Sequence, residues 1–241
     1  MISFYAVTNA GGRKYNEDCV EVLVEDTRWC CILADGLGGM GGGADAAQIV
    51  TQTLKECFDS GFMTSQTLQE CCQRAHQAVQ QKKKTLGKHG SLFSTVVLVY
   101  GTEKKMHWIY CGDSRFYLFC NDAICHRTKD HSVPQMLASC GEIREEEIRC
   151  HPDRNRLLAC LGTEDEQAKL SAVGEMDIQS GLVGLLCSDG FWEPVSEVQM
   201  LQEHCRAKSV QQWIRALVKL VRKQPKDEHM DNFSAIGIWV H

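Results

Sequence analysis

Carboxylates recur in this chain where short apolar runs end, and this repetition suggests a shared chemistry. The acidic segments are Asn16-Glu17-Asp18, Ala34-Asp35-Gly36, Gly112-Asp113-Ser114-Arg115, Ser188-Asp189-Gly190 and Asp231-Asn232. At Asp35, Asp113 and Asp189, a strand-like run leads directly into the acid, and a glycine lies beside it. A single Asp-Gly pair is usually a turn. The repeated pattern instead predicts that several acids meet at the rim of a sheet.

Such a group of carboxylates favours the binding of hard divalent cations. Converging negative charges repel one another unless cations neutralise them, and Mg²⁺ or Mn²⁺ binds through a few carboxylates while keeping water ligands. Without the six acids of these segments, the net charge of −5 becomes +1. A pair of these cations polarises a phosphoryl oxygen and activates water for in-line attack. Arg13, five residues before Asp18, is suited to hold a phosphate dianion through a bidentate fork.

A glycine-rich segment offers a different interpretation, dinucleotide binding. Gly36-Leu37-Gly38-Gly39-Met40-Gly41 matches the G-x-G-x-x-G pattern. That fold requires a parallel strand directly after the following helix, whereas a second helical pattern follows here. No Gly-Lys-Ser/Thr sequence occurs, so a P-loop is excluded as well. We interpret these glycines as allowing the backbone carbonyl of Gly36 to approach a metal closely.

Short runs rich in β-branched, cysteine and aromatic residues predict the strands that position the acids. These runs are Ile2–Val7, Cys19–Val24, Trp29–Ala34, Leu92–Tyr100, Met106–Cys111, Arg115–Cys120, Leu170–Val173, Leu182–Cys187 and Phe233–Val240. Helical periodicity predicts helices over Ala44–Phe58, around Leu68–Val79 and over Val210–Val221. The polar stretch Ser132–Arg156 predicts a small helical insertion on the body of the molecule, which we call the flap.

The order of these elements predicts the fold class. Strands occur in antiparallel-style clusters and helices in pairs, which favours an α+β fold over a doubly wound parallel sheet. No internal repeat or linker is apparent, and 241 residues suffice for one large domain. We therefore expect a single domain over residues 1–241, with the flap at about 132–156.

Composition and charge argue against several classes of protein. Acidic residues outnumber basic ones by 31 to 26, whereas a nucleic-acid binder is normally basic. No run approaches 18 apolar residues and the first residues lack signal-peptide features, so neither a membrane span nor secretion is expected. The 14 cysteines include no C-x-x-C pair and mostly occupy apolar positions. This pattern favours reduced thiols in a soluble cytoplasmic protein.

Motifs along the whole chain resemble those of the metal-dependent protein phosphatases, the protein phosphatase 2C-like family. They are Arg13-Lys14-Tyr15-Asn16-Glu17-Asp18, Ala34-Asp35-Gly36-Leu37-Gly38-Gly39, Gly112-Asp113-Ser114-Arg115, Thr128-Lys129-Asp130-His131-Ser132, Leu158-Ala159-Cys160-Leu161-Gly162, Leu186-Cys187-Ser188-Asp189-Gly190 and Asp231-Asn232. Each motif alone is weak, but seven in family order are specific. The flap resembles that of the bacterial branch.

The resemblance implies a fold and an activity. The fold is a four-layer α-β-β-α sandwich, in which two antiparallel sheets lie between helix pairs. The activity is Mn²⁺- or Mg²⁺-dependent hydrolysis of phosphoserine and phosphothreonine on proteins by a metal-activated water. The expected partners are phosphorylated proteins, including a cognate Ser/Thr kinase and its targets. Neither nucleic acid nor membrane is an expected partner, and a monomer is the expected form.

The resemblance also implies the ligands of two metals, and of a weaker third one. Asp35 would bridge two metals, and Gly36 would offer its carbonyl to one of them. Asp189 and Asp231 would complete the protein ligands of the other. Asp113, together with Asp189, would hold the third metal.

Further residues receive supporting roles from the same resemblance. Glu17 and Asp18 would act mainly through bound waters, and Asn232 would support the site. Arg13 would bind the substrate phosphate. Asp130 would assist the third metal.

Two positions depart from the family pattern. Leu37 stands where many eukaryotic members carry a histidine proposed as general acid, so water in the site would protonate the leaving oxygen. Phe93-Ser94-Thr95 stands where the family usually has Gly-Ser/Thr-Thr, so this strand would pack differently. Neither departure removes a metal ligand.

Alternatives to protein phosphatase activity remain open at this point. One is a non-catalytic regulatory module that keeps the fold and binds a phosphoprotein. Another is the same chemistry on a small phosphoester or on phosphotyrosine, because specificity lies in the flap and surface grooves. The flap is a polar insertion between two motifs, and we expect its Arg144 and Arg149 to contact substrate.

Overall fold

The secondary structure comes from a computed structural model, which describes residues 1–38, 42–87, 91–223 and 230–241. The strands are β1 (Ile2–Asn9), β2 (Asp18–Val24), β3 (Arg28–Leu37), β4 (Phe93–Ser94), β5 (Val96–Thr102), β6 (Lys105–Cys111), β7 (Arg115–Cys120), β8 (Ala123–Arg127), β9 (Gly174–Asp177), β10 (Val183–Cys187) and β11 (Phe233–Val240). The helices are α1 (Gly42–Asp59), α2 (Leu68–Leu86), α3 (Val133–Ser139), α4 (Asp189–Trp192), α5 (Glu197–Arg206) and α6 (Val210–Val221), with a 3-10 helix at Glu145–Cys150.

The strands form two antiparallel sheets that pack face to face. One sheet has the order β1-β11-β10-β7-β8, and the other has the order β2-β3-β5-β6-β9, with β4 paired to β3. Successive side chains of a strand point to opposite faces of the sheet. The central strand β3 is buried on both faces, because one face packs against the other sheet and the opposite face packs against helices. Cys31 and Leu33 pack with the opposite sheet. Cys30 and Ile32 pack with helix residues on the outer side.

Helices cover the outer faces of both sheets. Val50 of α1 and Val79 of α2 are buried over the sheet that contains β3. Trp213 and Ile214 of α6 are buried over the other sheet, and α5 packs beside α6. This α-β-β-α arrangement confirms the predicted fold class. Within the described part of the chain, no helix has both the length and the hydropathy that a membrane crossing requires.

Most predicted elements are confirmed with small shifts at their ends. One predicted strand is absent, and some elements of the structure were not predicted. Leu170–Val173 is not a strand, although Leu170 and Val173 pack against the core under α1 and α2. The strand of this region, β9, begins at Gly174, directly after the last residue of the predicted strand. The structure also contains β8 and α5, and the short helix α4, which the sequence pattern did not predict. β8 has no fully buried residue and α5 has only Met200, so neither carries a strong hydrophobic signal.

A tight hairpin joins β7 to β8. Asn121 and Asp122 adopt left-handed φ angles of 50° and 58°, as in the two-residue turns that match the twist of paired strands. A disulfide joins Cys120 to Cys125 across the hairpin. The prediction of reduced cysteines is therefore wrong at this pair, while the other twelve cysteines are free.

The flap contains α3 and the 3-10 helix, as the predicted helical insertion requires. Ser132 caps α3, because its hydroxyl accepts a hydrogen bond from the backbone N–H of Gln135. Ile148 of the 3-10 helix is buried in the same cluster as Trp192 of α4. The flap is therefore packed against the body through an apolar contact.

Candidate metal centre

A pocket of about 500 Å³ opens where the ends of the two sheets meet. The predicted site residues that line it are Arg13, Glu17, Asp35, Gly36, Asp113, Asp189, Asp231 and Asn232. Asp18 lies directly opposite Asp35 in the β2–β3 pair. The structure thus brings the acids of all five sequence segments to one place.

Strand ends account for this convergence. Asp18 begins β2 and Asp35 lies near the end of β3, and the antiparallel register places them side by side. Asp189 follows β10, and Asp231 precedes β11. Because β10 and β11 are antiparallel neighbours, the end of one lies beside the start of the other. Asp113 lies between β6 and β7, which belong to different sheets.

Four of these carboxyl groups have raised pKa values; Asp18, Asp35 and Asp113 are buried, and Asp189 is half-buried. Burial, followed by the charges of neighbouring carboxylates, raises the pKa of Asp35 and Asp189 well above 3.8. Burial raises the pKa of Asp113 to about 7 and that of Asp18 to about 6. Full ionisation of the group is therefore unfavourable without added positive charge.

The hydrogen bonds of Asp18 test whether the residues fit a metal. Its Oδ2 accepts a hydrogen bond from Ser188 Oγ at 2.9 Å, which fixes the carboxylate. Its Oδ1 is buried and has no hydrogen-bond partner in the described residues. An unpartnered buried carboxylate oxygen requires an explanation, and a hard cation or its water ligands would supply one. The all-oxygen donor set of this pocket fits Mg²⁺ or Mn²⁺.

Close backbone packing holds Glu17 beside Gly36. The Glu17 carboxylate lies beside Gly43 at the start of α1, where burial raises its pKa overall, although the backbone N–H groups of Ala44 and Gly43 lower it. A Cβ on Gly36 would lie 2.0 Å from the carbonyl oxygen of Gly43, and a Cβ on Gly43 would lie 2.6 Å from that of Gly36. Both positions therefore require glycine. The rest of the glycine-rich segment, residues 39–41, lies outside the described residues.

Asn232 fixes the loop that carries Glu17. Its Oδ1 accepts a hydrogen bond from the backbone N–H of Glu17 at 2.7 Å. Its Nδ2 donates to the carbonyl oxygens of Ala10 and Tyr15, each at 2.9 Å. Three backbone groups of one loop are thus held by a single side chain. This geometry supports a positioning role for Asn232.

Arg13 lies at the mouth of the pocket with half of its side chain exposed. Its Nη2 donates to Asp231 Oδ2 at 3.2 Å. Lys14 also lines the pocket, so two cationic side chains border the acids. Leu37 lines the pocket too, and the described lining residues include no histidine. No imidazole is therefore in position to act as general acid among them.

The segment that departs from the family pattern holds the backbone of Asp35. The backbone N–H of Thr95 donates to the Asp35 carbonyl oxygen at 2.8 Å, and Thr95 Oγ1 accepts from the Asp35 N–H at 3.1 Å. Ser94 Oγ also donates to the Asp35 carbonyl, at 3.1 Å. Sequence reasoning did not name these hydroxyls as site residues. Their only signal was the match of Ser94 and Thr95 to the Ser/Thr-Thr of the family pattern.

Asp130 has a protein partner rather than a free carboxylate. Arg115 donates to both of its oxygens, from Nε at 2.8 Å and from Nη2 at 2.7 Å. Each side chain is only 1% exposed. The structure therefore assigns Asp130 to a bidentate ion pair, which corrects its expected role beside a third metal.

Trp192 connects this ion pair to the pocket. The guanidinium carbon of Arg115 lies 3.4 Å from the centroid of the Trp192 ring, a cation–π contact. The indole Nε1 donates to the carbonyl oxygen of Asp113 at 3.0 Å. The buried pair thus supports the backbone that carries one of the pocket acids.

Arg149 does not line the pocket. Its Nη2 lies 2.7 Å from Glu197 Oε2, and its Nη1 donates to the carbonyl oxygens of Trp192 and Glu193. The side chain is 14% exposed. The expectation that Arg149 contacts substrate is therefore wrong, because its donors are directed at α4 and α5. Arg149 instead anchors the flap to the body.

Residues at the end of the flap and directly after it approach the pocket more closely than the predicted arginines. Arg144 is 72% exposed and pairs with Glu147 at 3.1 Å, and it is not a lining residue. Asn155 of the flap lines the pocket instead, as does Leu157, the residue that follows the flap. Sequence reasoning noticed Asn155 only as part of the flap pattern. Nothing in the sequence marks Leu157, because an apolar residue directly after a polar stretch also fits simple packing.

Comparison with known proteins agrees with this geometry. Residues 11–233 match the family model described as Protein phosphatase 2C. The serine/threonine phosphatase stp of Listeria innocua is 30% identical over 196 residues, which are 78% of this chain and 77% of that protein.

Solved structures share the fold over the whole chain. Stp1 from Staphylococcus aureus superposes with a TM-score of 0.89 at 24% identity, covering 100% of this chain and 96% of that one. The catalytic domain of PstP, solved with two manganese ions, gives a TM-score of 0.83 at 23% identity, covering 100% and 99%. The family match extends over nearly the whole chain and includes every acidic segment of the pocket. The chain therefore belongs to the protein phosphatase 2C family, the metal-dependent protein-serine/threonine phosphatases.

Proposed function

We propose that this chain removes phosphate from phosphoserine and phosphothreonine with two divalent cations held in the acidic pocket. The observation that carries the proposal is a group of four carboxyl groups with raised pKa values at one pocket, of which Asp18, Asp35 and Asp113 are buried and Asp189 is half-buried. A purely structural acid is normally paired with an internal cation. In their ionised form these acids would be neutralised by cations from solution.

The ligands of the two cations would come from the strand ends. Asp35 would bridge them and the Gly36 carbonyl would serve one, while Asp189 and Asp231 would serve the other. Mn²⁺ and Mg²⁺ both suit these oxygen donors. Bound there, the pair would polarise the phosphoryl group and lower the pKa of a water that attacks phosphorus.

Several residues would hold the cation ligands in place or act through water. Asp18 is fixed by its bond to Ser188, and its unpartnered oxygen would accept from a water beside the cations. Glu17, held at the start of α1, would act in the same way. Asp113, with Asp189, would hold a weaker third cation.

Arg13 would bind the substrate phosphate. Its guanidinium is half exposed and reaches Asp231 with one nitrogen, so other donors are free to face a ligand in the pocket. A bidentate contact with two phosphoryl oxygens would orient phosphorus toward the acids. Without a histidine among the described lining residues, water in the pocket would give the leaving oxygen its proton.

The substrates would be phosphoproteins, including a cognate Ser/Thr kinase and that kinase's targets. Similarity to the serine/threonine protein phosphatase PstP of Mycobacterium tuberculosis supports protein substrates. Residues 1–241 would act as one domain and as a monomer, with the flap setting substrate choice. The twelve free cysteines favour a cytoplasmic setting.

Metal-dependent turnover of peptides tests the proposal. Phosphoserine and phosphothreonine peptides should release inorganic phosphate with added Mn²⁺, and EDTA should abolish the release. Asp189→Asn should remove most activity, whereas Asp26→Asn, an exposed aspartate in the β2–β3 turn, should not. A preference for phosphotyrosine peptides would contradict the substrate class. Full activity in EDTA would contradict the metal mechanism.

A further inference from the structure

Three different metal-binding side chains meet at the end of β7 that lies away from the pocket. β7 runs from Arg115, near the acidic pocket, to Cys120 at the β7–β8 hairpin. Asp122 in the hairpin turn faces His204 and Cys205 at the end of α5. One donor atom from each of the three lies within 4.8 Å of the other two. This group shares no residue with the acidic pocket.

The distances among the donors fit a transition-metal ion. Cys205 Sγ lies 3.7 Å from Asp122 Oδ1, and His204 Nδ1 lies 3.9 Å from the same oxygen. In a tetrahedral zinc site, with bonds of about 2.0–2.3 Å, neighbouring ligand atoms are roughly 3.3–3.6 Å apart. Binding would thus need movements of less than about 1 Å at side chains on a turn and a helix end.

His204 supplies an independent observation. Its side chain is 12% exposed, yet both ring nitrogens are buried without a hydrogen-bond partner in the described residues. The ring lies among Phe119, Trp213 and Trp239, with centroids 6.4, 5.6 and 4.9 Å away. A buried imidazole without partners is costly. A cation at Nδ1 would satisfy that nitrogen and leave the proton on Nε2.

We propose that Asp122, His204 and Cys205 bind Zn²⁺, at a site separate from the proposed phosphatase centre. A thiolate and an imidazole select zinc over Mg²⁺ or Mn²⁺, which prefer oxygen ligands. Binding releases the thiol proton, because the thiolate is the ligand. Asp122 and Cys205 are exposed, so the fourth position is open to water.

Zinc at this place would tie the end of α5 to the β7–β8 hairpin. The start of the same helix carries Glu197, which pairs with Arg149 of the flap. The helix would then be held at both ends, by an ion pair at its start and by a metal at its end. We expect zinc to raise the thermal stability of the protein, since the three donors come together only in the folded state.

Cobalt is the probe that distinguishes this site from the acidic pocket. With the full chain and the disulfide intact, Co²⁺ should give a thiolate-to-cobalt charge-transfer band. The oxygen ligands of the acidic pocket cannot produce it, and excess Mg²⁺ should not remove it. Zn²⁺ should displace the cobalt. Asp122→Asn should weaken zinc binding by about tenfold or more, measured by competition with a chromophoric chelator.

Cysteine variants decide the outcome. Cys205→Ser should abolish the band and the zinc-dependent rise in melting temperature, whereas Cys140→Ser, at an exposed free cysteine in the flap, should keep both. The Cys120→Ser/Cys125→Ser double variant should also keep them. A band that persists in Cys205→Ser, or no band in the wild type when cobalt is bound, would overturn the proposal. Phosphatase activity with Mn²⁺ serves only as a check on folding.

Discussion

Two sets of buried carboxylates lie side by side in this protein and have opposite electrostatic surroundings. Asp130 is paired with Arg115 through two short hydrogen bonds, and both side chains are 1% exposed. Two residues from Arg115, Asp113 belongs to the pocket group, whose pKa values are raised; among the described residues Asp113 has no ion pair comparable to that of Asp130. Asp130 and Asp113 are both buried, so burial alone does not separate the two sets.

The difference shows what distinguishes a structural acid from a ligand. The charge of an acid with a fixed internal cation is neutralised as soon as the chain folds. Removal of either partner leaves an unpaired buried charge. The charge of an ionised acid without an internal cation is neutralised only when a cation binds from solution. Substitutions in the first set should therefore affect stability, and substitutions in the second should affect activity and metal dependence.

Asp35→Asn should give the largest effect, and on activity alone. Asparagine keeps the shape but removes one anionic oxygen of the proposed bridging ligand. We expect hydrolysis of p-nitrophenyl phosphate to slow at least about a thousandfold, a barrier increase of roughly 4 kcal/mol. Steady-state turnover with Mn²⁺ measures this loss. The metal-free variant should melt no lower than the wild type, because one repelling charge is gone. A folded variant with more than about a tenth of wild-type activity would contradict the assignment.

Asp130→Asn should give the converse result. It leaves the Arg115 guanidinium buried without its counter-charge, and we expect a loss of about 3 kcal/mol in the free energy of unfolding. Urea denaturation measures the loss. The matched control is Arg115→Met/Asp130→Leu, which removes both charges and should cost less than the single change. Equal stability of Asp130→Asn and the wild type would contradict the structural role assigned to Asp130.

Arg13→Ala should weaken the binding of the substrate phosphate without affecting the fold. Loss of charge-assisted hydrogen bonds to phosphate should cost roughly 1.5–3 kcal/mol, about tenfold or more in kcat/KM. Arg13→Lys should recover only part of the loss, because it lacks the planar fork. A surface ion pair with Asp231 alone would be worth about 0–1 kcal/mol. Wild-type kinetics in Arg13→Ala would therefore assign the side chain to that surface role.

The stabilising effect of Mn²⁺ should grow with pH. The folded pKa values of Asp18 and Asp113, about 6 and about 7, exceed the ordinary 3.8. The metal-free folded state therefore binds more protons than the unfolded state, and the contribution of these acids to stability is lost as pH rises through 6 and 7. Mn²⁺ replaces those protons. If cation binding displaces the protons of both acids, the Mn²⁺-dependent stabilisation should be up to about 4 kcal/mol larger near pH 7.5 than near pH 5, measured by thermal melts. An increment that is constant with pH would contradict this.

Arg144→Glu should have the smallest effect, and only on large substrates. The side chain is mostly exposed and bonds only within the flap, so p-nitrophenyl phosphate turnover should change by less than about threefold. Turnover of phosphoproteins should fall further if the flap sets substrate choice. Lys104→Glu, at an exposed turn, is the charge-matched control. Equal changes on both substrates would remove the flap from substrate selection.

The sequence predicted the pocket acids well because their signal is local. A strand followed by Asp and an adjacent Gly fixes both the burial and the direction of the acid, as at Asp35 and Asp189. The roles of Asp130 and Arg149 depend on partners that lie far along the chain. Arg149 pairs with Glu197, 48 residues later, and no local pattern distinguishes such an arginine from one that faces substrate.

The same limit applied to parts of the fold. The strand expected at Leu170–Val173 failed because apolar residues can pack on a core without joining a sheet. The helix α5 was missed because it is held by its ends and by one fully buried side chain. Local periodicity reports burial, whereas the pairing of strands and the partners of charges depend on the whole fold.

The surroundings of Trp192 make this residue a built-in optical reporter. Arg115 and Arg149 both place a guanidinium over its ring, and its indole N–H bonds the backbone of Asp113. Indole emission responds to nearby charge and to hydrogen bonding, so one fluorophore is coupled to the ion pair, to the flap anchor and to the pocket. Cation loading and flap displacement would therefore register in the intrinsic fluorescence of the unlabelled protein.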